Sequence, residues 1–174
     1  VSNTVSAGTQ KWTRINIPST DDNQLAPATD LGAIAVSPDG ETLFAAIVGN
    51  PYTGESVNAE FPVGTWQVVK STDGGYSWKI AGDFADVTAA NSDTTQIVAI
   101  GISPDWENDG RVYVATQDGV YSSKDRGKAW SSRGASTDSD GNPISTINCM
   151  DVSLDENGDA IVVIGSTVEV YILF

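Results

Sequence analysis

The chain has 174 residues, 40% hydrophobic and 18% charged, and its 23 acidic and 9 basic side chains give a net charge of −14. This length fits one packed domain, and the apolar fraction argues against intrinsic disorder. The charge disfavours binding to nucleic acid or to anionic membrane surfaces, and no apolar run is long enough to cross a membrane. The absence of histidine and the single cysteine, Cys149, exclude imidazole chemistry and an internal disulfide within this chain.

Short runs of apolar and β-branched residues, bounded by turn residues, predict β-strands along most of the chain. In chain order, the predicted strands cover 11–18, 33–36, 78–80, 96–102, 111–116, 120–123, 130–133, 147–152 and 168–174. No segment repeats apolar residues at helical spacing over three turns, so we predict no helix. The sequence therefore predicts an all-β protein.

The strands belong to a repeat. Ser-Thr-Asp-Gly-Gly-Tyr-Ser-Trp at 71–78 aligns without a gap with Ser-Lys-Asp-Arg-Gly-Lys-Ala-Trp at 123–130, at an offset of 52 residues. Val-Ser-Pro-Asp at 36–39, Ile-Ser-Pro-Asp at 102–105 and Val-Ser-Leu-Asp at 152–155 form a second series. Four short antiparallel strands in a repeat of about 50 residues are typical of β-propeller blades.

We expect about three blades of a larger ring, because closed rings have about four to eight blades. Residues 1–18 would supply the outer strand of a closing blade, 19–80 and 81–133 two blades, and 134–174 an incomplete third blade. The chain would then be a piece of a longer protein, whose next residues form another copy of the motif. The alternative is a small complete protein of three sheets, which would leave an unpaired sheet edge.

The pattern Ser-x-Asp-x-Gly-x-Ser-Trp resembles the Asp-box, or BNR repeat, of sialidases, sortilin-type receptors, xyloglucanases and bacterial surface proteins. The copy at 71–78 matches every defined position, and the copy at 123–130 departs once, at Ala129. Counted with the Ser-Pro-Asp series, the resemblance covers residues 31–174. It implies a propeller fold in which these motifs lie at the rim, away from the channel.

The residue types of the motif support a structural role. Asp73 and Asp125 can accept hydrogen bonds from backbone N–H groups of their own turns, and Gly75 and Gly127 can adopt the positive φ that the turn needs. The tryptophans fill the gap beneath the turn. We therefore expect eight residues to lock hairpins and none to be catalytic: Ser71, Asp73, Gly75, Trp78, Ser123, Asp125, Gly127 and Trp130.

Two acidic turns resemble parts of a calcium loop. Asp105, Glu107 and Asp109 imitate its opening, but Thr116 occupies the position of the bidentate Glu. Asp138, Asp140 and Asn142 form a similar partial cluster without a closing ligand. We expect solvated turns that use these side chains for backbone hydrogen bonds, with calcium as the alternative, and we predict no other metal or cofactor.

The links between second and third strands and the links between blades share one face of the predicted propeller. That face carries ten acids and no Lys or Arg: Asp21, Asp22, Asp30, Glu55, Glu60, Asp83, Asp86, Asp93, Asp138 and Asp140. The insertion at 49–65 lies there too, and its Tyr52 and Phe61 could stack on a sugar or a peptide. We predict a binding face at Tyr52, Glu55, Glu60, Phe61, Asp83, Asp86, Asp138 and Asp140; the alternative is that the loop covers a blade edge or a neighbouring subunit.

The stretch 103–123 and a composition rich in Ser, Thr, Asp, Gly and Val resemble prokaryotic cell-surface and S-layer-type propeller proteins. The resemblance implies a non-catalytic extracellular module with a structural or adhesive role. Its partners would be other subunits or the remaining blades of the same protein, with a glycan or a cation as further candidates. Residues 1–3 lack an initiator Met, which fits an exported start.

The alternative is a glycoside hydrolase of the sialidase or xyloglucanase type that acts through loop carboxylates. Sialidases need an arginine cluster, a tyrosine nucleophile with an acidic partner, and an Asp acid/base. Residues 14–18 only faintly match the Arg-Ile-Pro signature of that family, and no spacing selects a carboxylate pair. A photosystem-type assembly factor with the same repeat would carry basic patches, which we do not expect in this chain.

Overall fold

The computed structural model describes residues 30–48, 66–91, 95–135 and 137–173, without 139, 143 and 145. The described strands and helices, in chain order, are β1 Asp30–Val36, β2 Leu43–Val48, β3 Trp66–Ser71, β4 Lys79–Ile80, α1 Phe84–Ala90, β5 Ile97–Ile102, α2 Trp106–Asp109, β6 Val112–Thr116, β7 Gly119–Ser123, β8 Ser131–Ala135, β9 Ile147–Leu154, β10 Ala160–Ser166 and β11 Val170–Leu173.

The strands form three open antiparallel sheets. The first sheet has the order β1-β2-β3-β4, the second β5-β6-β7-β8 and the third β9-β10-β11. Each strand pairs with its neighbour in the chain, so each sheet is a simple meander. The prediction of an all-β protein is confirmed. The predicted strands within the described residues lie within a few positions of the observed ones, because period-two patterning and turn residues locate strands well.

The sheets pack face to face, and the second sheet is buried on both sides. Val112 and Val114 in β6 join a cluster with Phe44 and Ala46 of β2. The alternate residues of β6, among them Tyr113, join a second cluster with residues of β9 and β10. Alternation along β6 therefore supplies both cores, and each fully buried apolar side chain stabilises the fold by roughly 1.5–3 kcal/mol.

The first strands of the sheets are neighbours, with β1 beside β5 and β5 beside β9. Gly101 in β5 permits a close approach, because a Cβ there would lie 2.4 Å from Val152 Cγ2 of β9. Farther out, α1 contacts both β3 and β8, so it lies in the space between the first and second sheets. The sheets are thus close together at their first strands, whereas the later strands of the first and second sheets are far enough apart to hold α1 between them.

The prediction of no helix is wrong. α1 has seven residues and α2 has four, which is shorter than the three turns that a periodicity test needs. In α1, Phe84 and Thr88 are buried at helical spacing, and Val87 packs beside them. Neither helix of the described part is long and apolar enough to cross a membrane.

Candidate functional site

Connections at the two ends of the sheets differ in character. The turn end contains the links β1–β2, β3–β4, β5–β6, β7–β8 and β9–β10, and the loop end contains the remaining links. Within the turn end, the two Ser-x-Asp-x-Gly segments, 71–78 and 123–130, occupy equivalent places, between β3 and β4 and between β7 and β8. We refer to them as the first and second SxDxG turns.

The first SxDxG turn is closed by side-chain hydrogen bonds. The Ser71 hydroxyl donates to Asp73 Oδ1 at 2.7 Å and accepts the Gly75 N–H at 2.9 Å. Ser77 donates its N–H to Asp73 Oδ1 at 2.9 Å and its hydroxyl to Oδ2 at 2.5 Å. The Ser77 hydroxyl and N–H, followed by the Ser71 hydroxyl, lower the pKa of Asp73 to about 2. The carboxylate is therefore fixed as an acceptor.

The second turn repeats this arrangement. Ser123 donates to Asp125 Oδ1 at 2.7 Å and accepts the Gly127 N–H at 2.9 Å, while Lys128 and Ala129 donate their N–H groups to Asp125 Oδ1 at 2.9 Å. Burial opposes ionisation of Asp125, but the hydrogen bonds outweigh it and lower its pKa. Gly75 and Gly127 have φ of 87° and 75°, as predicted. Both acids thus serve their own turns.

The two tryptophans that end these turns pack against different groups. Trp130 Nε1 donates to the Ala81 carbonyl at 2.6 Å, and its ring meets Phe84 edge to face at 5.3 Å between centroids. The second turn is therefore attached to the segment that follows β4. Trp78 packs against a separate cluster of the first sheet formed by Ala45, Ile47 and Val69.

Arg126 has a left-handed backbone, with φ of 61°, and occupies the place that Gly74 has in the first turn. Among the described residues it is the one non-glycine with positive φ, a conformation that costs about 1–2 kcal/mol. Its N–H bonds the Gly110 carbonyl at 3.0 Å, and its guanidinium lies 5.3 Å from the Trp106 ring centroid. These contacts attach the second turn to α2.

The calcium candidates at the turn end point toward their own backbone and neighbours. Asp105 accepts from the Asn108 side chain at 2.6 Å. Asp109 accepts from the Ser103 hydroxyl at 2.7 Å and the Arg111 N–H at 2.9 Å, and its carboxylate lies 3.8 Å from Arg111 Nε. Glu107 is exposed. In the part of the chain that the structure describes, no three His, Cys, Asp or Glu side chains converge on a metal position.

The predicted acidic face corresponds to the loop end, and its described members have different environments. Asp83 accepts the Trp130 N–H at 3.0 Å, so it links the segment that follows β4 to the second turn. Asp86 is exposed in the first turn of α1. Asp138 accepts from the side chain and N–H of Asn142, which lower its pKa, and Asp140 is exposed.

Several predicted positions lie outside the described residues: Tyr52, Glu55, Glu60 and Phe61, and Asp21, Asp22 and Asp93. Asp30 is the first residue of β1. For these residues the binding face stays a prediction.

A groove of about 800 Å³ runs between the second and third sheets and brings Asp138 and Asp140 together with residues that the sequence did not single out. Glu169 and Tyr171 line it, and the Tyr171 hydroxyl donates to Glu169 Oε2 at 3.0 Å. This bond, followed by burial, raises the pKa of Tyr171. The remaining lining is largely apolar: Val120, Ile144, Val162, Ile164, Val170, Ile172 and Leu173, with Arg133 and Thr137.

Two lysines of the first sheet lie side by side at the turn end. Lys70 and Lys79 are paired across β3 and β4, and Lys70 Nζ donates to the Arg126 carbonyl at 2.8 Å.

The comparisons add no family. No protein-family model matches the sequence, and no curated protein matches it significantly. What the geometry of the described residues defines is a set of three antiparallel sheets with two equivalent SxDxG turns and a groove at the loop end.

Proposed function

We propose that the chain is an arc of an Asp-box β-propeller and serves as a non-catalytic, extracellular structural or interaction module at a prokaryotic cell surface. The observation that carries the proposal is the equivalence of the two SxDxG turns, in which both carboxylates bind hydroxyl and N–H groups of their own turns. Side chains engaged in this way support a scaffold role and are not available to a substrate.

Exposed apolar side chains on the first and third sheets support the proposal that further blades or other subunits pack against this arc. Ile34 and Val36 in β1 align with Ile100 and Ile102 in β5, which are partly buried against the first sheet. Ile34 and Val36 are 62% and 55% exposed, and on the third sheet Val170 and Ile172 are 70% and 56% exposed. Adjacent exposed apolar side chains favour contact with another protein surface, and further blades or other subunits would supply one.

The loop-end groove is the surface that we propose for ligand contact. Tyr171 offers an aromatic face, and Asp140 and Glu169 offer carboxylates, a combination that suits a neutral glycan or a cation. Asp138 lies beside them but is bonded to Asn142 of its own turn. The charge of this end disfavours an anionic ligand.

Glycoside hydrolysis is the second candidate, since carboxylates and a tyrosine bonded to an acid share this groove. The raised pKa of Tyr171 weakens it as a nucleophile, and two of the three acids would have to serve as the catalytic pair.

The two candidates are separated by activity and binding measurements on the same samples. Wild-type protein and the Asp138→Asn, Asp140→Asn and Glu169→Gln variants would be assayed on a panel of neutral glycans, with Asp118→Asn as an exposed loop-end control. We expect no hydrolysis by any of them. Turnover that one groove variant abolishes, while Asp118→Asn retains it, would overturn the non-catalytic proposal.

A further inference from the structure

Three lysines at the turn end are near enough for the charges of Lys79 and Lys128 to act on Lys70, and we call Lys70, Lys79 and Lys128 the lysine seam. Lys70 and Lys79 are direct partners across β3 and β4, on the sheet face that Lys70 shares with Phe44 and that points toward the second sheet. Lys70 Nζ reaches the Arg126 carbonyl, two residues before Lys128. The Lys128 carbonyl packs closely on Gly82, three residues after Lys79.

This arrangement is electrostatically unfavourable by itself. Like charges directly opposite each other on a sheet destabilise it. Among the described residues Arg111 pairs with Asp109, and no ion pair involves any of the three ammonium groups. Although the chain has 23 acidic residues, none of those that the structure describes is a direct counter-ion for the lysine seam.

Asp125 is an acid whose charge acts on Lys70, and it does not neutralise the seam. Its Oδ1 accepts the Ser123 hydroxyl and two backbone N–H groups of its own turn. Burial of Lys70, and then repulsion from Lys128, lower the pKa of Lys70, while Asp125 only partly opposes them.

The seam nevertheless keeps donors available. Lys79 and Lys128 are exposed, and Lys70 uses one of the three N–H donors of its ammonium on the Arg126 carbonyl. A tetrahedral oxyanion has enough oxygens to accept from all three ammonium groups, and charge-assisted bonds of this kind are the stronger class of hydrogen bond. Bound there, it would also remove the repulsion between the lysines.

We propose that the lysine seam binds one tetrahedral oxyanion, a sulfate or phosphate, either free or as an ester on a small molecule. A long polyanion is a poorer fit, because the rest of the surface is acidic. The inference does not rest on the proposed function, since it concerns a different end of the molecule and makes no use of location or of the groove.

The test is a titration followed by backbone amide NMR at constant ionic strength, with inorganic sulfate, inorganic phosphate, galactose 6-sulfate and glucose 6-phosphate as separate probes. We expect saturable shifts at the amides of residues 79, 82 and 128 with at least one probe. The free ions and the sugar esters distinguish the two sources of the group.

Matched variants decide whether the seam itself binds. Lys79→Gln with Lys128→Gln should weaken the binding by about tenfold or more, because two charge-assisted contacts are lost. Lys124→Gln removes an exposed cation of the second turn that is not part of the seam and should change the affinity by less than about twofold. The melting temperatures of the unliganded variants verify folding. Lys79→Gln alone should not lower the melting temperature, because this substitution removes a like-charge pair.

Two results would overturn the proposal. One is the absence of saturable shifts at the seam with all four probes. The other is an equal loss of affinity in Lys124→Gln and in the double variant, which would show a diffuse response to net charge.

Discussion

At the scale of single residues, the SxDxG turns show which side-chain roles follow from spacing. Asp73 bonds partners two and four residues away, and Asp125 does the same. Local hydrogen bonds of this kind are encoded within one turn, so the sequence predicted them. Arg126 was not predicted, because its left-handed backbone is held by α2, which is distant in the sequence from the second turn.

The pKa of Asp73 predicts a pH dependence of stability. Its folded-state value of about 2 lies below the ordinary 3.8, so the ionised carboxylate stabilises the fold above pH 3.8, and that contribution is lost as pH falls toward 2. We expect the wild-type free energy of unfolding, measured by urea denaturation, to fall over this interval. Asp73→Asn should show a shallower fall, because the titrating group is gone.

Asp86→Asn is the control for this measurement, since Asp86 is an exposed acid with no hydrogen bond to a turn among the described contacts. It should retain the wild-type slope. Identical slopes in wild type and Asp73→Asn would contradict the assignment of Asp73 as the acceptor that closes the first turn.

At the scale of elements, the sequence predicted the strands better than the segments that join the sheets. Alternation and turn residues mark β5 to β8 clearly, because each strand depends on its own pattern. The segment after β4 was read as loop, and it contains α1, whose Phe84 packs on Tyr121 and Trp130 of the next sheet. Its structure depends on those distant aromatic rings, which periodicity within seven residues does not reveal.

Asp83 illustrates the same limit. The sequence placed it on an open acidic face, whereas its carboxylate accepts the N–H of Trp130 from the following sheet. The groove residues Glu169 and Tyr171 were missed for a related reason, because the groove exists only where the second and third sheets meet.

Gly82 tests the junction between the segment after β4 and the second turn. Its φ is +67°, and an added Cβ would lie 2.2 Å from the Lys128 carbonyl oxygen. Gly40 has a similar φ of +77° but open space around the added Cβ. Gly82→Ala should therefore lower the free energy of unfolding by about 2 kcal/mol more than Gly40→Ala, since overpacking adds to the shared backbone strain.

Urea denaturation of the two variants measures that difference directly. Equal losses would show that the segment after β4 does not pack on the second turn as described. Circular dichroism of both variants at low urea provides the control for retained strand content.

At the scale of the whole molecule, three meanders lie in a row, and their first strands are neighbours while α1 separates later strands. This is the arrangement expected of consecutive propeller blades, and the proposed arc rests on it. The first and third sheets of the row carry exposed apolar residues, among them Ile34 and Val170. The loop end carries the groove, and the turn end carries the lysine seam, so the two proposed ligand surfaces are separate.

The central claim is that the sheets fan out from their first strands, and distances between spin labels test it most directly. One pair joins Cys149, the single and exposed cysteine in β9, to Ile34→Cys in β1. The second pair, in a Cys149→Ser background, joins Lys79→Cys in β4 to Ile172→Cys in β11, both exposed. Pulsed electron–electron double resonance then compares first strands with later strands of the same two sheets.

The account predicts a clearly shorter distance for the pair at 34 and 149 than for the pair at 79 and 172, because the sheets diverge away from their first strands. Equal distances, as in a flat stack of parallel sheets, or a longer distance between the first strands, would contradict it.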